Sequence, residues 1–174
     1  MEELLHVLQL QLDEYAFSHS AYFTPTDSIL EYHSLSERFT EDEVKAFEML
    51  PSIAQKCFKE AGRCIAYDVR FGAMSLALVA LESTLRYYFR RCNPKDKYKG
   101  WKGMVNWLNS NELLPGVKCK DSLEMLEKKY RNLILHGRAF YQKGKPDLDF
   151  TEAKKVFDDC LDTALKLMLA NTGR

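Results

Sequence analysis

The chain has 174 residues with 25 basic and 25 acidic side chains, so it has no formal net charge and is long enough for one domain with a substantial core. Apolar residues make up 46% and charged residues 29%, which excludes disordered, collagen-like and disulfide-scaffold classes. No apolar run approaches a bilayer span, and the opening Met1-Glu2-Glu3 is acidic where a secretory signal would be basic, so the expectation is a cytoplasmic protein without membrane contact.

Every element predicted along the chain is helical. Leu4, Leu5, Leu8 and Leu12, interrupted by polar residues, predict an amphipathic helix from Glu2 to about Phe17, followed by a loop around Thr24-Pro25-Thr26-Asp27. Thr40-Glu41-Asp42-Glu43 reads as a capping box, with Thr40 as N-cap and Glu43 at the third helical position. Pro51 should separate that helix from the next, which begins at Pro51 or Ser52 and weakens at Gly62. A long helix, apolar on most sides, is expected from about Ile65 to Arg91 and should be central to the fold.

A shorter helix should cover about Tyr98 to Asn109, before a turn at Pro115-Gly116. Asp121 or Ser122 is expected to cap the next helix, which runs to about His136 with Gly137 as the left-handed residue after it. A polar connection over residues 142–147 leads to a last helix from near Thr151, with Ala153, Val156, Phe157, Cys160, Ala164, Leu167 and Met168 as its buried stripe. The predicted class is therefore all-α, an antiparallel helical bundle with an N-terminal helical extension.

Charge divides the chain unevenly. Residues 1–62 hold 4 basic and 12 acidic side chains, net −8; residues 63–145 hold 17 and 7, net +10; residues 146–174 hold 4 and 6, net −2. This suggests an acidic extension, 1–62, and a helical domain, 63–174. The basic segment either meets a polyanion such as RNA or is neutralised by the acidic segment packing against it. Five scattered cysteines without a C-x-x-C pair, and histidines far from ligand spacing, point to reduced core thiols, with no metal site or cofactor expected.

The segment K-Y-R-N-L-I-L-H-G-R carries the chemistry. Arg131, Asn132 and His136 place a permanent cation, an amide and a side chain that titrates near neutrality within two turns, just before a glycine. At 100° per residue, Leu123, Leu126, Tyr130, Leu133 and Ile134 form a core stripe, while Arg131, Asn132 and His136 fall off it with Met125, Lys128 and Leu135. Such a mixed face suits a partner surface, and a two-fold pairing would bring two copies of the set around one groove. At the helix end, the unsatisfied carbonyls favour the imidazolium of His136 by about 0.3–1 kcal/mol and Arg131 opposes it, which suits transfer of protons both ways.

The spacing Arg-Asn-x-x-x-His at a helix end in an all-helical chain resembles the signature of the HEPN domain family, many of whose members are metal-independent ribonucleases working as dimers. The likeness covers roughly residues 63–174. It implies a homodimeric endoribonuclease in which His136 moves the proton, Arg131 stabilises the phosphorane charge and Asn132 orients the phosphate or the imidazole. It also implies a 2′,3′-cyclic phosphate product, and a toxin or defence role restrained by an inhibitory protein partner. The family's embedded acidic residue would be Glu82 in A-L-V-A-L-E-S-T-L-R, where the carboxylate either reaches Arg131 or pairs with Arg86 four residues on.

Lys128, Arg138, Arg86 and Arg90 are candidate RNA-binding residues. Tyr87, Tyr98 and Trp101, interleaved with basic residues, serve either as stacking platforms or as core. Two other functions remain open from the sequence. One is a non-catalytic helical module that dimerises or docks on RNA or protein. The other is a nucleotide-binding accessory domain of a nucleotidyltransferase partner.

Overall fold

A computed structural model describes residues 39–95, 99–134 and 149–172. The described residues form helices joined by turns, with no strand among them. The first predicted helix, the loop that follows it, Gly137 and the connection at 142–147 lie outside the described residues.

Helix α1, Glu41–Glu48, starts as expected. The Thr40 hydroxyl accepts from the Glu43 amide at 3.3 Å and the Glu43 carboxylate accepts from the Thr40 amide at 2.8 Å, closing the capping box. Pro51 then precedes α2, Ser52–Ala66, which passes through the buried Gly62 without interruption. The charge-based division at residue 62 therefore falls inside α2, and Ala46, Leu50, Ala54 and Phe58 belong to the same core as the residues that follow.

The predicted helix from Ile65 is interrupted. Helix α2 ends at Ala66 and α3 spans Arg70–Cys92, separated by a turn in which Asp68 has φ 55°. The Val69 amide donates back to the Cys64 carbonyl at 2.7 Å, and Arg70 grips both Asp68 carboxylate oxygens at 2.7 and 2.8 Å. Aspartate can take this left-handed position because its short side chain makes a local bond, which is why no glycine announces the turn. The turn folds α2 back along α3.

Helix α4 runs Trp101–Ser110 and α5 runs Val117–Leu126. Helix α5 begins earlier than Asp121 or Ser122, directly after Gly116 at φ 81°, and has no side-chain cap. A π-helical turn, Glu127–Arg131, and a short α6, Asn132–Ile134, continue it. Helix α7 spans Phe150–Thr172, and every residue of its predicted stripe is buried.

Helix α3 is the centre of the bundle, in contact with α2, α4, α6 and α7. Its buried Met74, Leu78, Leu81, Leu85, Tyr88 and Phe89 account for the apolar surroundings predicted from its sequence. The Tyr88 hydroxyl donates to the Leu113 carbonyl at 2.6 Å and so ties α3 to the turn before α5.

Because only glycine adopts the Asp68 conformation without steric cost, Asp68→Ala should lower stability by about 1–2 kcal/mol, whereas Asp68→Gly should stay closer to wild type. Thermal or urea unfolding of the two variants measures the difference; equal losses would show that the Arg70 pair, and not the backbone, dominates this turn.

Candidate functional site

Arg131 closes the π turn, in which the Asn132 amide reaches back five residues to the Glu127 carbonyl. The wide turn adds residues without adding a full helical rotation. Leu126, Tyr130 and Ile134 are all buried, and Arg131 lies at the flank of the core, beside α3. The Arg131 side chain is only 15% exposed, so it is not the outward-pointing residue that a straight helix suggested.

Its partner is Glu82. The Arg131 Nε donates to Glu82 Oε2 at 3.0 Å, and an Arg86 terminal nitrogen donates to Glu82 Oε1 at 2.5 Å. The two alternatives open in the sequence are therefore both realised, one on each carboxylate oxygen. Glu82 is buried on α3, and desolvation pushes its carboxyl upward, but the hydrogen bonds from Arg131 and Arg86 prevail and hold it below the ordinary range. A carboxylate in that setting is ionised at neutral pH.

The Arg131 guanidinium also lies over the Trp101 ring, 5.6 Å from its centroid. Trp101 is 1% exposed, and its indole Nε1–H donates to the Leu123 carbonyl at 3.2 Å. It therefore cannot offer its face to a base, which corrects the stacking role considered for it; the ring supports Arg131. Tyr87 is partly exposed, close to Arg91. Tyr98 is outside the described residues.

Among the described residues, the two terminal nitrogens of Arg131 and the side-chain amide of Asn132 have no hydrogen-bond partner. Asn132 is half-buried, Lys128 and Arg90 are exposed, and Arg86 is partly exposed. Arg90 lies two turns along α3 from Glu82, with Arg86 between them. His136, Arg138 and Leu135 lie outside the described residues, so the structure brings together Arg131, Asn132, Glu82 and Arg86 only. Met125 packs against the core and does not stand on an open face.

A second cluster fixes the other side of the helix end. Tyr130 donates its hydroxyl proton to Glu152, and Lys129 Nζ donates to Glu152 Oε1 and to the Tyr130 oxygen, both at 2.6 Å. Those hydrogen bonds raise the Lys129 ammonium above its usual range; burial, and then the Glu152 bond, raise the Tyr130 phenol. Asp149 accepts from the Glu152 amide at 2.7 Å, capping the first turn of α7. Sequence reasoning missed this cluster and Trp101, because contacts between residues more than twenty positions apart leave no periodic signal.

No described group of three or more acidic, cysteine or histidine side chains could hold a metal ion, and no described helix is long and apolar enough to cross a membrane. Cys119 and Cys160 are buried thiols, with Cys119 pushed up to about 12 by desolvation, too high for a reactive thiolate. Comparisons with family models, with curated proteins and with solved structures find no match to this chain.

Removing the carboxylate should cost more than removing one guanidinium, since Glu82→Ala leaves Arg131 buried without a counter-charge while Arg131→Ala leaves Glu82 still paired with Arg86. Losses of about 3 and about 1–2 kcal/mol are expected in denaturant unfolding. The pH dependence follows from the lowered Glu82 value. Its contribution is present above the unfolded carboxylate range of about 4.3 and is lost as pH falls below it, so Glu82→Gln should flatten the stability profile in acid. An acid limb identical to wild type would refute the assignment.

Proposed function

We propose that the chain is a metal-independent endoribonuclease of HEPN type, cleaving RNA in a groove formed between two copies of itself. The observation that carries this reading is the arrangement of Arg131. Its Nε edge is taken by Glu82 and its terminal edge is left for an anion, next to the amide of Asn132. A planar fork with two parallel donors matches two oxygens of a phosphate.

In the proposed reaction His136 takes the proton from a ribose 2′-hydroxyl, whose oxygen attacks the adjacent phosphorus. The bond to the 5′-oxygen breaks, that oxygen takes up the proton that the His136 imidazolium returns, and the products end in a 2′,3′-cyclic phosphate and a 5′-hydroxyl. Arg131 stabilises the negative charge that grows on the non-bridging oxygens, and Asn132 orients the phosphate or the imidazole. Lys128, Arg86, Arg90 and Arg138 contact flanking phosphates. DNA lacks the attacking hydroxyl and binds without being cut. A cell-damaging activity of this kind fits a toxin or defence protein held in check by an inhibitory protein.

A second reading is favoured by the low exposure of Arg131: the Glu82–Arg131–Arg86 cluster is a structural brace in a non-catalytic helical module that dimerises or docks on RNA or protein. One assay separates the two. Purified protein in EDTA should degrade mixed RNA to cyclic-phosphate ends, and His136→Ala or Arg131→Ala should lower the rate by at least about 100-fold, the usual order for loss of a general base or of transition-state charge stabilisation. Absence of cleavage by wild type, or full activity in both variants, leaves the brace. Light scattering should give twice the monomer mass; a monomer at high concentration removes the composite groove.

A further inference from the structure

We propose that Trp101 is a positioning residue of this site, acting through Arg131 to prepare an end-on seat for a phosphodiester oxyanion. A guanidinium carries five N–H donors in a plane, and its usefulness for binding depends on which of them are already committed. Here Glu82 Oε2 engages Nε at 3.0 Å, while the guanidinium carbon lies over the Trp101 ring, 5.6 Å from its centroid. The carboxylate holds the Nε edge, and the cation–π contact with the ring restrains the guanidinium from a second direction. Only the terminal edge is left to meet a ligand.

Trp101 is well placed for this because it is fixed in turn. Its Nε1–H is bonded to the Leu123 carbonyl at 3.2 Å, on the helix that leads into the π turn carrying Arg131. One aromatic side chain therefore bonds that continuous helical segment at Leu123 and holds its functional side chain two turns later. Trp101 touches no solvent-borne ligand itself, being 1% exposed, so its effect has to pass through Arg131.

The seat suits a phosphodiester for two reasons. Two coplanar terminal donors pair with two non-bridging oxygens, a match that a lysine ammonium cannot reproduce. Exposed Arg90 on α3 and exposed Lys128, one turn before Arg131, supply the sequence-independent charge that a single strand requires. That the phosphodiester belongs to RNA rests on the ribonuclease reading; the coupling of Trp101 to Arg131 does not.

The test uses the full chain and a fluorescent single-stranded DNA oligonucleotide, which offers phosphodiesters without the 2′-hydroxyl needed for cleavage. Anisotropy titrations compare wild type, Arg131→Gln, Trp101→Phe and the double variant. Arg131→Gln should weaken binding about tenfold, the size of a lost charged hydrogen bond, and should reduce the salt slope by about 0.7. Trp101→Phe should weaken binding several-fold in the wild-type background and by close to nothing in the Arg131→Gln background, the signature of action through one shared residue.

A structural role alone would give losses that multiply. Multiplicative losses, unchanged binding by Trp101→Phe, or no binding of the oligonucleotide by wild type at low salt would each overturn the proposal. If Trp101→Phe does not fold, the wild-type Arg131 δ-methylene proton shifts serve instead. Upfield values that move on adding the oligonucleotide support the seat, and random-coil values that do not move overturn it. Coupled binding without any RNA cleavage would end the ribonuclease reading and leave the seat standing.

Discussion

A single carboxylate on the central helix governs the geometry of the whole candidate site. Glu82 sits among apolar neighbours on α3, where an isolated charge would be costly, and it is retained there because each of its oxygens accepts a guanidinium hydrogen bond. The exchange works in both directions. Arg131 can occupy a flank position at 15% exposure only because Glu82 is there to meet it, and Glu82 remains ionised only because Arg131 and Arg86 outweigh its desolvation. The pair therefore joins the centre of the bundle to the end of the motif helix more specifically than packing would, since a leucine could slide where a fork-shaped hydrogen bond cannot.

The π turn makes this pairing compatible with a continuous core. Tyr130 and Arg131 are consecutive, yet the tyrosine is drawn to Glu152 at the start of α7 and the arginine to Glu82 on α3. The two anchors tie the helix end to two different helices, α7 and α3, shortly before His136 in the sequence. The helix end thus meets two demands together: Leu126, Tyr130 and Ile134 stay in the core and the guanidinium stays against α3.

The features legible in the sequence are those with a local signature. The Thr40 capping box, the Pro51 boundary and the α7 stripe follow from patterns spanning a few turns, and all three are present in the structure. Glu82 was legible as well, because a carboxylate in so apolar a stretch demands a counter-charge, although its two claimants could not be ranked. The break at Asp68 was hidden by the use of aspartate where glycine would have signalled a left-handed residue. The π turn was hidden because the core pattern Leu126, Tyr130 and Ile134 reads equally well as regular helix. For Trp101 the sequence left stacking platform and core both open, and the structure shows the core alternative, since proximity in sequence to lysines says nothing about which ring face survives folding.

The chemistry of the proposed reaction narrows further when each ionisable group of the cluster is considered in turn. Arg131 and Arg86 offer hydrogen-bond donors and no acceptor, so they can stabilise negative charge but cannot accept a proton from a hydroxyl. Glu82 is held in its ionised form and Lys129 in its protonated form, each by hydrogen bonds that would have to break before a proton could move. The Tyr130 phenol is shifted upward, away from neutrality, and its proton is already committed to Glu152. The described side chains thus form an electrostatic frame that can position a phosphate without exchanging protons near pH 7. In the proposed mechanism the transfer therefore falls to an imidazole, and the two anchors at the end of the π turn hold the helix end that precedes His136 in the sequence.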